Sequence, residues 1–176
     1  MNKSKKLIAA LAVPVLILVG MCFTPLYTLI TGEDIILETV PVDPTDLFRG
    51  DYVTLRYAAE EIPKSLVDEE VLNEYQSDFK VTEVFVLLEK KGGVHAPRKV
   101  TLEEPEQGLF LKGELQYINK TVEGVEAAFI EYSLDRYYVE DNSGTEWEEA
   151  SAQGEVLVKA KLKNGYAVLT DIMIKE

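Results

Sequence analysis

Residues 7–30 form a 24-residue run without a single charged side chain, and nothing else in the chain limits its folding choices so strongly. As a helix rising about 1.5 Å per residue, the run exceeds the roughly 30 Å hydrocarbon core of a bilayer. It is therefore read as a membrane span with some tilt. Pro14 stands near its start and Pro25 near its end; membrane helices tolerate proline, and Pro25 marks a place for a kink or a stop. Lys3, Lys5 and Lys6 precede the run, and the positive-inside rule then predicts a cytoplasmic tail over residues 1–6 and an extracytoplasmic remainder, residues 31–176.

A cleaved signal peptide would begin in the same way, but its apolar region is about 7 to 15 residues long and ends at small residues. This run is longer and has no Ala-x-Ala-like site after it. A lipoprotein reading of Cys22 also fails, since Met21 stands where a small residue is needed and apolar sequence continues beyond. The expectation is an uncleaved signal anchor in the cell membrane. Cys22, the only cysteine, then faces lipid or a neighbouring helix and leaves no intrachain disulfide to hold the fold.

Residues 31–176 suffice for one ordinary domain with its own core. The chain carries 18 basic and 31 acidic residues, a net charge of −13, and all three N-terminal charges are basic. So acidic a surface repels phosphate backbones, which argues against nucleic acid as a partner. The glutamates at 103–104 and 146–149 read as solvated surface.

After the span, residues 35–42 read as a first strand ended by a turn at Asp43-Pro44-Thr45-Asp46, where Pro44 pre-sets φ and the aspartates bond nearby amides. From Asp51 the residues alternate, with Val53, Leu55 and Tyr57 on one face and Tyr52, Thr54 and Arg56 on the other. Residues 65–77 have the one helical spacing, with Ser65 and Asp68 as a cap-like pair. Residues 81–89 are apolar on both faces, as in a central strand. Residues 94–102 include Pro97 and so read as an edge or bulged strand. Residues 109–117 alternate, with Gly113 placed to bend the strand.

Residues 127–140 form a tyrosine-rich strand pattern interrupted near Asp135-Arg136, and Asp141-Asn142-Ser143-Gly144 follows as a loop. Residues 156–162 and 166–174 form a hairpin about Lys163-Asn164-Gly165. A two-residue loop would set Leu162 opposite Ala167; a three-residue loop aligns Leu162 with Tyr166 and gathers Val168, Ile172 and Ile174 on one face, which is the register expected. About eight short strands between turn signals predict an all-β fold, mainly antiparallel, a sandwich or barrel-like domain with one N-terminal transmembrane helix and one short peripheral helix.

The segment Gly50-Asp51-Tyr52-Val53-Thr54-Leu55-Arg56-Tyr57 resembles the signature of the GDYXXLXY proteins at every fixed position. The likeness extends to residues 41–49 ahead of it and to later blocks at residues 108–113, 137–140 and 165–168; it departs at residues 140–144, where related chains tend to carry Pro-Glu-Gly. The resemblance implies a membrane-anchored protein, often encoded beside polytopic membrane proteins, with no assigned activity. Arg49-Gly50-Asp51 ahead of a strand also faintly resembles membrane-bound signal peptidases, but their nucleophilic serine and lysine base have no counterpart here.

Candidate chemistry is sparse. Asp43, Asp46 and Asp51 lie within nine residues but lack the spacing of an EF-hand, and turn formation accounts for the first two. His95 is the only histidine, so no zinc pair exists, and no metal or cofactor is expected. The residues singled out for binding are Arg49, Gly50, Asp51, Tyr52, Leu55, Arg56 and Tyr57, with Tyr52 and Arg56 as anchors. Two functions follow as expectations. The first is a non-enzymatic envelope protein whose β domain binds another envelope protein, a polytopic membrane protein, through this turn and the face carrying Tyr52 and Arg56; the second is a small-molecule or enzymatic domain with a pocket near the same strand, using Asp51 and nearby tyrosines.

Overall fold

The computed structural model describes residues 3–41, 52–78, 80–121, 124–138 and 144–175. The apolar run lies within one helix, α1 (Lys3–Thr31), which continues through both Pro14 and Pro25. Its stretch Ala10–Thr31 has a mean hydropathy of 2.1 and a most apolar window only 6% buried. A core helix would be covered by the protein; this one is apolar enough to span a membrane and offers its side chains outward.

A single residue, Gly32, separates α1 from strand β1 (Glu33–Glu38). The Gly32 amide donates to the Thr28 carbonyl at 2.8 Å, and Thr28 is buried. A β-carbon on Gly32 would stand 2.5 Å from the Thr28 carbonyl oxygen and 3.1 Å from that of Leu162. The helix end therefore sits directly on the C-terminal hairpin, with no slack between helix and sheet.

The remaining described elements are β2 (Tyr52–Thr54), β3 (Glu61–Pro63), α2 (Glu69–Asp78), β4 (Thr82–Lys91), β5 (Val94–Thr101), β6 (Phe110–Lys120), β7 (Glu126–Glu131), β8 (Arg136–Tyr138), α3 (Gly144–Gln153), β9 (Val156–Lys163) and β10 (Tyr166–Ile174). Short 3-10 turns at Ala58–Glu60 and Lys64–Leu66 flank β3. Five strands pair in the order β3-β7-β6-β4-β5, three as β1-β9-β10, and β2 pairs with β8; all these pairings are antiparallel. The result is the all-β, curled half-barrel architecture that the alternating sequence predicts.

Its seams are specific. His95 on β5 is buried, and its Nδ1 accepts the Ile36 amide of β1 at 3.0 Å, so the solitary histidine closes one sheet edge against the next. Across the other seam, the Lys112 amide donates to the Gly165 carbonyl at 2.9 Å. Between them Ile35 and Leu37 of β1, Val158 and Leu162 of β9, and Val84 and Val86 of β4 are buried in one core.

Several expectations are corrected. The hairpin β9–β10 takes the two-residue loop, with Ala167 opposite Leu162 and Tyr166 opposite Lys163. Asn164 and Gly165 both have positive φ, 49° and 77°, the combination a tight hairpin of this twist requires. A bulge between Leu169 and Asp171 then shifts the phase, so that Ile172 meets Val158 and Ile174 meets Val156. The extra residue inside the strand returns Ile172 and Ile174 to the face of Val158 and Val156, but Val168, opposite Lys161, does not join them as the longer loop had it.

Gly113 marks a close contact instead of a bend. A β-carbon there would approach Ile130 Cγ2 to 2.7 Å and the Tyr132 ring to 2.9 Å. The irregularity of β6 lies further on, between Leu115 and Tyr117, and it turns Tyr117 from the inner face to the outer, where it is 48% exposed. Strand β5 is both an edge and bulged, as Pro97 predicts: Leu87 faces Lys99 while Leu88 faces Pro97.

Helix α2 begins at Glu69, three residues later than the Ser65 cap implies. Ser65 belongs to the 3-10 turn, and the Leu72 amide donates to the Asp68 carbonyl instead. Although the helix is acidic, Val71 is fully buried, so it contributes to the core as well as to the rim. A further helix, α3, occupies the stretch expected to be solvated glutamates. Its Trp147 packs against the core and Ala150 is buried, which anchors one side of an otherwise polar segment.

Candidate functional site

Only part of the signature lies within the described residues. Arg49, Gly50 and Asp51 fall outside them, as do Asp43 and Asp46. Tyr52 opens β2 and pairs through its backbone with Tyr138. Beyond β2 the strand direction persists: the Leu55 amide donates to the Asp135 carbonyl at 2.8 Å, and the Arg56 carbonyl accepts the Val40 amide at 2.9 Å. The segment is thereby wedged between the continuation of β1 and the link from β7 to β8.

Alternation holds here. Leu55 is 2% and Tyr57 0% exposed, whereas Arg56 faces out, its side chain 47% accessible. The Tyr57 hydroxyl donates to the Leu134 carbonyl at 2.7 Å, and the Tyr132 hydroxyl donates to the Ala59 carbonyl at 2.8 Å. The two phenols thus cross between the same two segments, each satisfying a buried carbonyl of the other's chain stretch. Burial raises both phenol pKa values well above their ordinary range, and the nearby Glu60 charge adds to the shift. They remain protonated donors at any physiological pH.

Glu60 closes the 3-10 turn after Tyr57. Burial pushes its carboxyl up to about 7; the Tyr57 backbone hydrogen bond and the Arg56 charge oppose the rise, while Glu131 and Glu61 add to it. Arg56 Nε stands 3.8 Å from Glu60 Oε2, and its Nη2 lies 3.3 Å from Glu61 Oε1. A cleft of about 300 Å³ opens beside this group, bounded by Arg56, Glu60, Tyr117, Phe129, Glu131 and Asp135. The rings of Tyr117 and Phe129 stack at 4.6 Å between centroids with planes 24° apart.

The signature's last residues therefore divide their work. Leu55 and Tyr57 build the core, with Leu55 also at the floor of the cleft, and Arg56 is the exposed signature side chain that borders it. Sequence pattern identified Arg56 but missed Glu60, Glu131 and Tyr132. The spacing Arg56-x-x-x-Glu60 is the one local signal for Glu60; Glu131 and Tyr132 arrive from a strand more than 70 residues away in the chain, and no local pattern predicts that. Among the described residues, no group of three or more His, Cys, Asp or Glu is arranged to hold a metal ion.

The sequence profile of the family described as GDYXXLXY protein matches residues 14–172, which takes in most of the apolar helix, the signature and the described β fold up to Ile172. The chain belongs to the GDYXXLXY family. No curated protein matches it, and no solved structure does. In this GDYXXLXY protein, the leucine and final tyrosine of the signature are core residues, Tyr57 capping a carbonyl 77 residues distant. Those fixed positions have a folding reason that is sufficient without a ligand.

Proposed function

We propose that this protein is a single-pass, membrane-anchored envelope protein, with its N-terminus cytoplasmic and its β domain extracytoplasmic, and that the β domain binds a membrane-protein partner. The observation that carries the reading is the one-residue junction at Gly32, with the helix end seated against Leu162. A domain joined to a span so tightly works at the bilayer surface, within reach of the loops of other membrane proteins. The three lysines ahead of the span support the orientation. Arg56, exposed beside an aromatic pair, supports a recognition role, since arginine and tyrosine are frequent binding anchors.

The test is purification of the full-length chain in mild detergent and identification of what accompanies it. A stoichiometric membrane protein, lost from the preparation when Tyr52→Ala and Arg56→Ala are combined, is the expected result. A chain that remains alone would overturn the reading. The small-molecule alternative has one observation in its favour, the cleft with Glu60 poised near pH 7; a low-molecular-weight compound retained by the isolated chain and lost in Glu60→Gln would favour it instead.

A further inference from the structure

The 300 Å³ cleft is one end of a longer depression. It shares Glu131, Tyr132 and Asp135 with a neighbouring cavity of about 480 Å³. That cavity shares Ser133, Leu134, Tyr166 and Ala167 with a third, of about 440 Å³, which reaches Pro25 of the membrane helix. Taken in series, their shared linings trace a trough from beside α1, along β10, to Arg56. Resting on the membrane-partner reading, we infer that this trough is the docking site for an extended segment of the partner, apolar where it leaves the bilayer and basic at its far end.

Shape comes from β10. It is the outer strand of its three-stranded sheet, and residues 166–170 line the trough. The Gly165 carbonyl just before β10 is taken by the Lys112 amide, and the Thr170 carbonyl accepts from the Tyr137 hydroxyl at 3.5 Å; the outer-edge amides and carbonyls between these two points are what an added extended chain would satisfy. Near α1 the lining joins Pro25, Leu134, Tyr137, Val168 and Leu169, which suit aliphatic side chains, with Ser133, Thr170 and Arg136, whose charge is paired with Asp135 at 3.2 Å.

Charge comes from the other end. Lys112 is paired with Glu83 at 2.7 Å and Arg56 with Glu60 at 3.8 Å. What remains is Glu114 and Glu131, directly opposite each other on β6 and β7, both exposed and, among the described residues, without a cationic partner. Like charges facing across adjacent strands are unfavourable in the free protein. A lysine or arginine laid between them removes that repulsion, and the Tyr117–Phe129 stack beside Glu131 supplies an aromatic face for the same cation.

The test uses the full-length chain in nanodiscs of zwitterionic lipid. The probe is a short fluorescent peptide with alternating valine and threonine in its first half and lysines in its second, beside a version with glutamates for lysines. The basic peptide is expected to bind at least about tenfold more tightly than the acidic one. Glu114→Gln with Glu131→Gln lowers that affinity about tenfold while leaving Tm unchanged or raised. Leu169→Asp weakens it through the apolar half, and Glu103→Gln with Glu104→Gln, away from the trough, leaves it unchanged.

Equal loss in the 103/104 variant would mean general surface charge and overturn the assignment. So would absence of binding, or photo-crosslinks from position 169 that join two copies of this chain. A partner that copurifies and is indifferent to the trough variants would sink the trough and spare the membrane-partner reading; peptide binding with no copurifying partner would do the reverse.

Discussion

The inner and outer faces of the segment Leu55–Tyr57 differ in kind although they are one residue apart. Inward, Leu55 and Tyr57 are sealed in the core, and Tyr57 spends its hydroxyl on the Leu134 carbonyl. Outward, Arg56 stands at a cleft rimmed by Glu60, Glu131 and a pair of stacked rings. Within one short motif, then, fixed residues serve packing and the variable position between them meets whatever approaches the surface. A signature residue is not by that fact a binding residue.

The contrast breaks first under substitution of the inner face. Leu55→Ala is expected to destabilise the domain by about 2 to 5 kcal/mol, because it removes a side chain from a site that is 2% exposed; chemical denaturation of the chain in detergent measures it. A value under 1 kcal/mol would mean that Leu55 is not the packing residue described.

The second largest effect is a pH dependence. The Glu60 carboxyl is raised from an ordinary 4.5 to about 7, so the folded state holds its proton more tightly than the unfolded state does. That contribution is fully present below pH 4.5 and is lost as pH rises through about 7. It amounts to at most roughly 3 kcal/mol by linkage. Glu60→Gln should flatten the stability profile across this window and make the protein more stable than the parent at pH 8; a profile unaltered by the substitution would contradict the burial that causes the shift.

Third, Tyr132→Phe leaves the Ala59 carbonyl without its donor and should destabilise by about 1 to 3 kcal/mol, read by thermal unfolding. Tyr57→Phe should do the same at Leu134, and because the two phenols tie the same two segments, the double substitution should cost less than the sum. Additive effects would show that the two bonds are independent. Least of all, Arg56→Ala should change stability by less than about 1 kcal/mol, since its ion pairs are exposed. Its consequence should appear in partner retention alone.

Much of the fold follows from local pattern. The alternation of Val156, Val158, Ala160 and Leu162 is reproduced in the burial of β9, the two-sided apolar run becomes β4, flanked by β6 and β5, and Pro97 lies on an outer, bulged strand. Where the sequence misleads, a bulge is usually the cause. An added residue at Thr170 or Gln116 changes which face every later side chain occupies, and neither position differs in residue type from ordinary strand. The helix α3 was hidden for another reason. Its glutamates dominate the composition, and Ala150 acquires meaning only once a sheet lies beneath it.

By itself, the sequence determined that a charge-free rod precedes a β fold and that Leu55 and Tyr57 turn one way while Arg56 turns the other, because hydrophobicity and strand parity act between near neighbours. Tertiary structure alone decided that Glu60, Glu131 and the Tyr117–Phe129 stack gather about Arg56, and that cavities sharing lining residues lead from them to Pro25 of α1. Pairing between distant strands sets those positions, and a chain read residue by residue carries no measure of which distant strands will meet.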